Sequence, residues 1–130
     1  MVSGIFKNKT ILMIDDDEVN HLYIETILAK SGCNLISAYD SCDGIKQFKK
    51  HDIDLVLLDF NLPKMNGYDV LKKLKTYKED VEVIMVSGET DKQEISYERG
   101  ALAYITKPFT PKKLRDTIKF VFDIKKLEMI

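Results

Sequence analysis

Cysteine is scarce in this chain, which carries only Cys33 and Cys42. The two are not in a CxxC spacing and no histidine cluster lies near them, so neither a disulfide framework nor a zinc site is encoded. Buried free thiols in a reducing cytoplasm are the expectation. No run is apolar for long enough to cross a membrane, and the opening Met1-Val2-Ser3-Gly4-Ile5-Phe6-Lys7 is too short in apolar length for a signal peptide. An excess of charge is missing as well: 20 Lys and Arg against 21 Asp and Glu leave a formal net charge of −1. A dedicated nucleic-acid binder needs clustered cations that show in such a total, so that class is excluded. Repeats, low-complexity tracts and linkers are absent. The 130 residues suffice for one core and not two, so a single domain over 1–130 with no output domain is expected.

What is present is a regular alternation. Apolar runs of about five residues each precede an amphipathic stretch, the pattern of βα units feeding a parallel sheet. The runs predict strands at about 10–15, 34–39, 54–59, 82–87 and 102–106. A first helix over about 18–31 puts Tyr23, Ile24, Ile27 and Leu28 on one stripe and stops at Gly32. A second, about 42–50, buries Ile45 and Phe48, and a third, about 67–76, buries Val70, Leu71 and Leu74 behind a turn at Asn66-Gly67. Thr90 and Gln93 stand at capping-box spacing before a fourth helix closing at Gly100. Thr110-Pro111, an N-cap followed by proline, opens a fifth that turns Leu114, Ile118, Val121 and Phe122 inward. Right-handed crossovers leave few topologies, and the doubly wound order 2-1-3-4-5 of an α/β (βα)5 fold is the expected one.

The chemistry lies at the strand ends. Ile11-Leu12-Met13-Ile14 runs into Asp15-Asp16-Asp17, Leu55-Val56-Leu57-Leu58 into Asp59, Val83-Ile84-Met85-Val86 into Ser87, and Tyr104-Ile105-Thr106 into Lys107-Pro108. In such a sheet these ends share one edge, and ligands bind in the crevice beside it. Crowded carboxylates there are costly unless a cation joins them. Hard oxygen donors suit Mg2+ that also touches a phosphoryl oxygen, while a lysine ammonium neutralises a second oxygen. No hydroxyl- and glycine-rich phosphate loop follows the first strand, and acids there would repel a flavin phosphate, so the flavodoxin chemistry of this fold is excluded.

With Asp15-Asp16, Asp59 followed by Leu62-Pro63 and Met65-Asn66-Gly67, then Ser87-Gly88, then Gly100-Ala101 leading through Tyr104 to Lys107-Pro108-Phe109, the chain resembles a response-regulator receiver domain of two-component signalling over about 10–125. It is similar to the single-domain chemotaxis-regulator type, with its flavodoxin-like fold. The resemblance implies that Asp59 is the phosphoacceptor, fed by a histidine kinase or a histidine phosphotransfer protein. It implies Mg2+ on Asp16, Asp59 and the backbone carbonyl of Asn61, with Asp15 acting through water. Lys107 and Ser87 would contact phosphoryl oxygens, and Ser87 with Tyr104 would form a switch in which Tyr104 swings from exposed to buried. Asn61 and Glu89 would tune the phosphoryl lifetime, and Pro108 would follow a cis peptide bond. Output would pass to an unknown protein through the α4-β5-α5 face, or as relayed phosphate; beyond self-phosphorylation and autodephosphorylation no enzymatic activity is implied.

Blander roles are assigned to the remaining polar groups. Asp17 or Glu18 serves to cap the first helix, where an acid contributes roughly 0.3–1 kcal/mol. His21 and His51 read as solvated. The lysines of the last helix, Lys112, Lys113, Lys119, Lys125 and Lys126, read as a solvated face that could also meet an acidic partner. A competing reading takes Ile14-Asp15-Asp16-Asp17-Glu18-Val19 as the opening of a haloacid-dehalogenase-like phosphatase, with Asp15 as nucleophile and Asp17 as acid/base. Another takes the chain as a pseudo-receiver kept only for docking, but every chemical position is filled.

Overall fold

The computed structural model describes residues 3–128. Five strands, β1 (Thr10–Ile14), β2 (Asn34–Ala38), β3 (Leu55–Asp59), β4 (Val83–Ser87) and β5 (Ala103–Thr106), alternate with helices α1 (Glu18–Leu28), α2 (Ser41–Lys50), α3 (Gly67–Tyr77), α4 (Gln93–Glu98) and α5 (Pro111–Glu128). All pairings are parallel and the order is β2-β1-β3-β4-β5, as the alternation predicts.

Both faces of the sheet are covered, so the central strands β1, β3 and β4 are apolar and buried along nearly their whole length, while the edge strand β2 is partly exposed, and the period of two divides the core. Ile11, Met13, Leu55, Leu57, Ile84, Val86 and Ile105 pack against α1 and α5, together with Phe6 from the N-terminal segment. Leu12, Ile14, Val56, Leu58, Val83 and Met85 pack against α2 and α3. This arrangement buries the stripes expected on α3 and α5. On α1 the buried stripe is Ile24, Ile27 and Leu28, while Tyr23 stays exposed and donates its hydroxyl to the Phe109 carbonyl. Ile45 is only half-buried.

Helix ends follow side-chain chemistry. Asp17 accepts from the Val19 N–H, Asp40 from Asp43, Asn66 from Asp69, and the Thr110 hydroxyl from Lys113. Two expectations need correction. α1 stops at Leu28, before the expected end, and Gly32 takes its positive φ of 83° in the following turn rather than closing the helix. The Thr90–Gln93 box does not form: α4 starts later, at Gln93, behind Lys92 with no side-chain cap. The cysteines are free, but Cys33 is half-buried and Cys42 exposed. Cys42 falls on the outward side of a short helix whose core contact is made by Gly44 and Phe48.

One glycine fixes a distance. A Cβ on Gly67 would lie 2.7 Å from the Phe60 Cα and 2.8 Å from the Asp59 carbonyl oxygen, so α3 can start against the end of β3 only without a side chain there. Gly67→Ala should therefore cost about 1–3 kcal/mol in urea unfolding, the usual range for overpacking. Gly88→Ala, where nothing lies within 4 Å, should stay within about 0.5 kcal/mol of wild type.

Candidate functional site at the carboxyl edge of the sheet

Because β1 and β3 are neighbours, with Ile14 registered on Leu58, the residues that follow them converge. Carboxylate oxygens of Asp15, Asp16 and Asp59 lie within 4.8 Å of one another. Asp15 and Asp59 are buried and Asp16 is exposed. From the end of β5, Lys107 places its ammonium 3.1 Å from Asp15 Oδ2 and 3.3 Å from Asp59 Oδ2. Its backbone N–H donates to the Ser87 carbonyl at 2.7 Å, which ties it to the end of β4. The Lys107–Pro108 peptide bond is cis.

The electrostatics follow from this crowding. The Asp59 carboxyl is pushed up to about 6: burial raises it most and Asp15 adds to the rise, against the downward pull of the Lys107 charge and the Asn61 N–H. For Lys107, burial works against the charge, yet Asp59 and Asp15 together overcome it and raise the ammonium above its ordinary value. The donor set fits a divalent cation: three hard oxygens converge, and the burial and the Asp15 charge that together raise Asp59 both disfavour its negative charge, which a second positive charge would offset.

The remaining expected residues sit as follows. Ser87 is fully buried and its Oγ accepts from the Glu89 N–H at 3.1 Å. Asn61 is exposed, with its N–H on Asp59 Oδ1 at 3.2 Å. Glu89 is half-buried and its Oε2 has no hydrogen-bond partner among the described residues. Tyr104 is already inside, 7% exposed, donating its hydroxyl to the Glu89 carbonyl. The outward position expected before phosphorylation is therefore not the one this structure describes: β5 packs Tyr104 into the core beside Met85 and Leu58, and the carbonyl satisfies its hydroxyl.

Two residues escaped the sequence reading. Asn20 donates its amide to Asp15 Oδ2. His21, expected to be solvated, is 1% exposed, and its Nε2 lies 2.7 Å from the Asp15 carbonyl oxygen. The legible signal was their position, one helical turn after Asp16 and Asp17. His51 is exposed as expected.

Comparison with known proteins agrees with this geometry. The model of the response regulator receiver domain family matches residues 11–119. The chain belongs to that family. Among its curated relatives is sporulation initiation phosphotransferase F of Bacillus subtilis, 32% identical over 120 residues, covering 91% of this chain and 97% of that protein. The crystal structure of a CheY-like receiver domain protein from Methanospirillum hungatei superposes with a TM-score of 0.86 at 31% identity, covering 92% of this chain and 98% of the other. A complex of CheX and CheY with beryllofluoride and magnesium from Borrelia burgdorferi gives 0.83 at 28% identity, covering 89% and 90%. The phosphatase alternative finds no support in these receiver-domain matches, and in the site Asp15 is the most heavily bonded of the three acids rather than a free nucleophile. Among the described residues, no helix is long and apolar enough to cross a membrane.

A pH dependence follows for the metal-free receiver. A carboxyl held at about 6 when folded and 3.8 as its ordinary value binds its proton more tightly in the folded state. Its penalty on stability therefore builds as pH rises from about 4 to about 6 and is complete above that. In EDTA, Asp59→Asn should be more stable than wild type by about 1–3 kcal/mol at pH 7, with the difference shrinking towards pH 4. Urea unfolding of both proteins across this range measures it.

Proposed function

We propose that this receiver accepts a phosphoryl group on Asp59 from a histidine kinase or histidine phosphotransfer protein in a Mg2+-dependent reaction, in the cytoplasm. The observation that carries the reading is the convergence of Asp15, Asp16 and Asp59 on the ammonium of Lys107. A carboxylate nucleophile of pKa about 6 is ionised at neutral pH and is still more basic than an ordinary aspartate, which favours attack.

An Asp59 oxygen attacks phosphorus, the P–N bond of a phosphohistidine or the P–O bond of an acyl phosphate breaks, and the departing group keeps the electron pair. Little covalent work falls to the protein in such a loose transition state, so positioning and charge dominate. Lys107 loses the Asp59 charge as the acyl phosphate forms and transfers its contact to a phosphoryl oxygen. Ser87, at the neighbouring strand end, donates its hydroxyl to another. Magnesium, held by Asp16, Asp59 and the Asn61 carbonyl with Asp15 through water, would supply neutralisation of the oxygens when bound. Asn61 and Glu89 flank the path of the hydrolytic water and set how long the phosphate survives. The activity is confined to self-phosphorylation and autodephosphorylation.

The switch rests on the inward Tyr104. Its hydroxyl holds the Glu89 carbonyl, and the Glu89 N–H holds Ser87, so a new demand on Ser87 Oγ is felt in the β4–α4 loop. A phosphoryl group shifts this equilibrium only by its differential contacts with the two states. The consequence passes to a protein partner through α4, β5 and α5, or the phosphoryl group itself passes on. The first of these makes Tyr97 and Lys112, exposed on that face, sensors of the phosphorylated state.

Acetyl phosphate with magnesium should add about one labile phosphate per chain, seen by intact mass, and none to Asp59→Asn. Label that persists in that variant and disappears in Asp15→Asn would overturn the assignment. Beryllofluoride with magnesium should shift amide NMR signals along Tyr97, Arg99 and Lys112 while leaving Tyr104 buried. Shifts confined to the pocket would instead favour relay over surface signalling.

A further inference from the structure

Asp15 is held from every side. Its backbone N–H donates to the Ala38 carbonyl at 3.1 Å, and its Oδ1 accepts from the Asp17 N–H at 2.8 Å. Oδ2 accepts from the Asn20 amide as well as from Lys107 at 3.1 Å. The carbonyl oxygen takes the His21 ring at 2.7 Å. Asn20 and His21 are consecutive residues in the first turn of α1, so one turn of helix grips both the carboxylate and the carbonyl of the same residue.

The histidine is costly as core filling. A carbonyl can only accept, so the proton must sit on Nε2, and Nδ1 is then a buried acceptor with no partner among the described residues. An apolar ring of the same size would avoid that cost. Tyr39 covers the imidazole at 4.1 Å between centroids and fixes its plane. What the histidine gains over an apolar ring is the single bond to the Asp15 carbonyl.

We propose that Asn20 and His21 are positioning residues for the phosphoacceptor site. By clamping Asp15, they hold the β1–α1 turn so that Asp16 and Asp59 keep oxygens available to a divalent cation, while Asp15, whose carboxylate already accepts from Asp17, Asn20 and Lys107, acts through charge and an intervening water. The inference rests on the metal-dependent reading above. Partners that orient metal ligands generally change affinity by 10–100-fold when removed. That is the range expected for a broken clamp.

Magnesium titrations of the full chain, followed by backbone amide NMR at Asp16 and Asp59, test this. His21→Phe keeps a ring against Tyr39 and removes the donor; it should weaken magnesium about tenfold or more. The metal-free melting temperature of this variant should fall little. His21→Gln, which restores an N–H, should recover part of the affinity, and a residue that merely filled space would show no such rescue. Asn20→Ala, at a half-buried position, should weaken magnesium in the same direction. Leu22→Ala, on the exposed side of α1, should leave affinity unchanged. Wild-type affinity in both His21→Phe and Asn20→Ala would overturn the clamp, as would wild-type affinity in Asn20→Ala alone should His21→Phe not fold. A wild-type chain that takes up no magnesium would overturn the metal-dependent reading itself, and the flat wild-type curve distinguishes that failure from failure of the clamp.

Discussion

Three carboxylates share one strand edge, and a single ammonium sits among them. Like charges within 4.8 Å of one another oppose folding, and burial raises the cost for Asp15 and Asp59. Lys107 makes the arrangement tolerable, and it comes from the far side of the sheet. The site therefore exists only in a topology that puts β1 beside β3 and lets the end of β5 reach both across β4. The parallel order meets this condition, since every strand then delivers its carboxyl end to the same edge.

The same constraint links the site to its surroundings. α3 must begin directly against the end of β3, which only Gly67 allows, and its cap, Asn66, stabilises that start. α1 must begin directly after the acids, and Asp17 caps it while Asn20 and His21 reach back to Asp15. The loops after β1 and β3 thus each couple a helix terminus to an acid. A charge change at Asp59 is consequently registered by backbone segments rather than by isolated side chains.

The strands, their order and the acid cluster were legible in the sequence because five-residue apolar runs, their alternation with amphipathic stretches and a strand-terminal acid are local signals. So was Thr110-Pro111, a cap that depends on its own neighbours. The failures involve contacts between distant parts of the chain. His21 looks solvated among polar neighbours, but Tyr39, from the end of β2, closes over it. Tyr104 looks free to lie outside, but the Glu89 carbonyl from the β4–α4 loop accepts its hydroxyl. Thr90 and Gln93 have the right spacing for a cap, and the loop that carries them is instead tied down by Tyr68 and Tyr104. Local propensity lost to tertiary contact in each case.

That loop also explains why the α4 side is where a signal would be felt. α4 has six residues and no side-chain cap, too short to be stable by itself. It is held by few contacts: the Tyr68 hydroxyl and Ser96 Oγ both reach the Lys92 carbonyl, and Tyr104 reaches that of Glu89. α1 and α5, by contrast, share a continuous core with β1, β3 and β5. Elements with few buried contacts open at lower free energy than the core they rest on. Under the proposed contact between Ser87 and a phosphoryl group, a pull on the Ser87 hydroxyl would meet little resistance towards α4 and much towards α1, so the direction of response would be set by the unequal packing of the two sides.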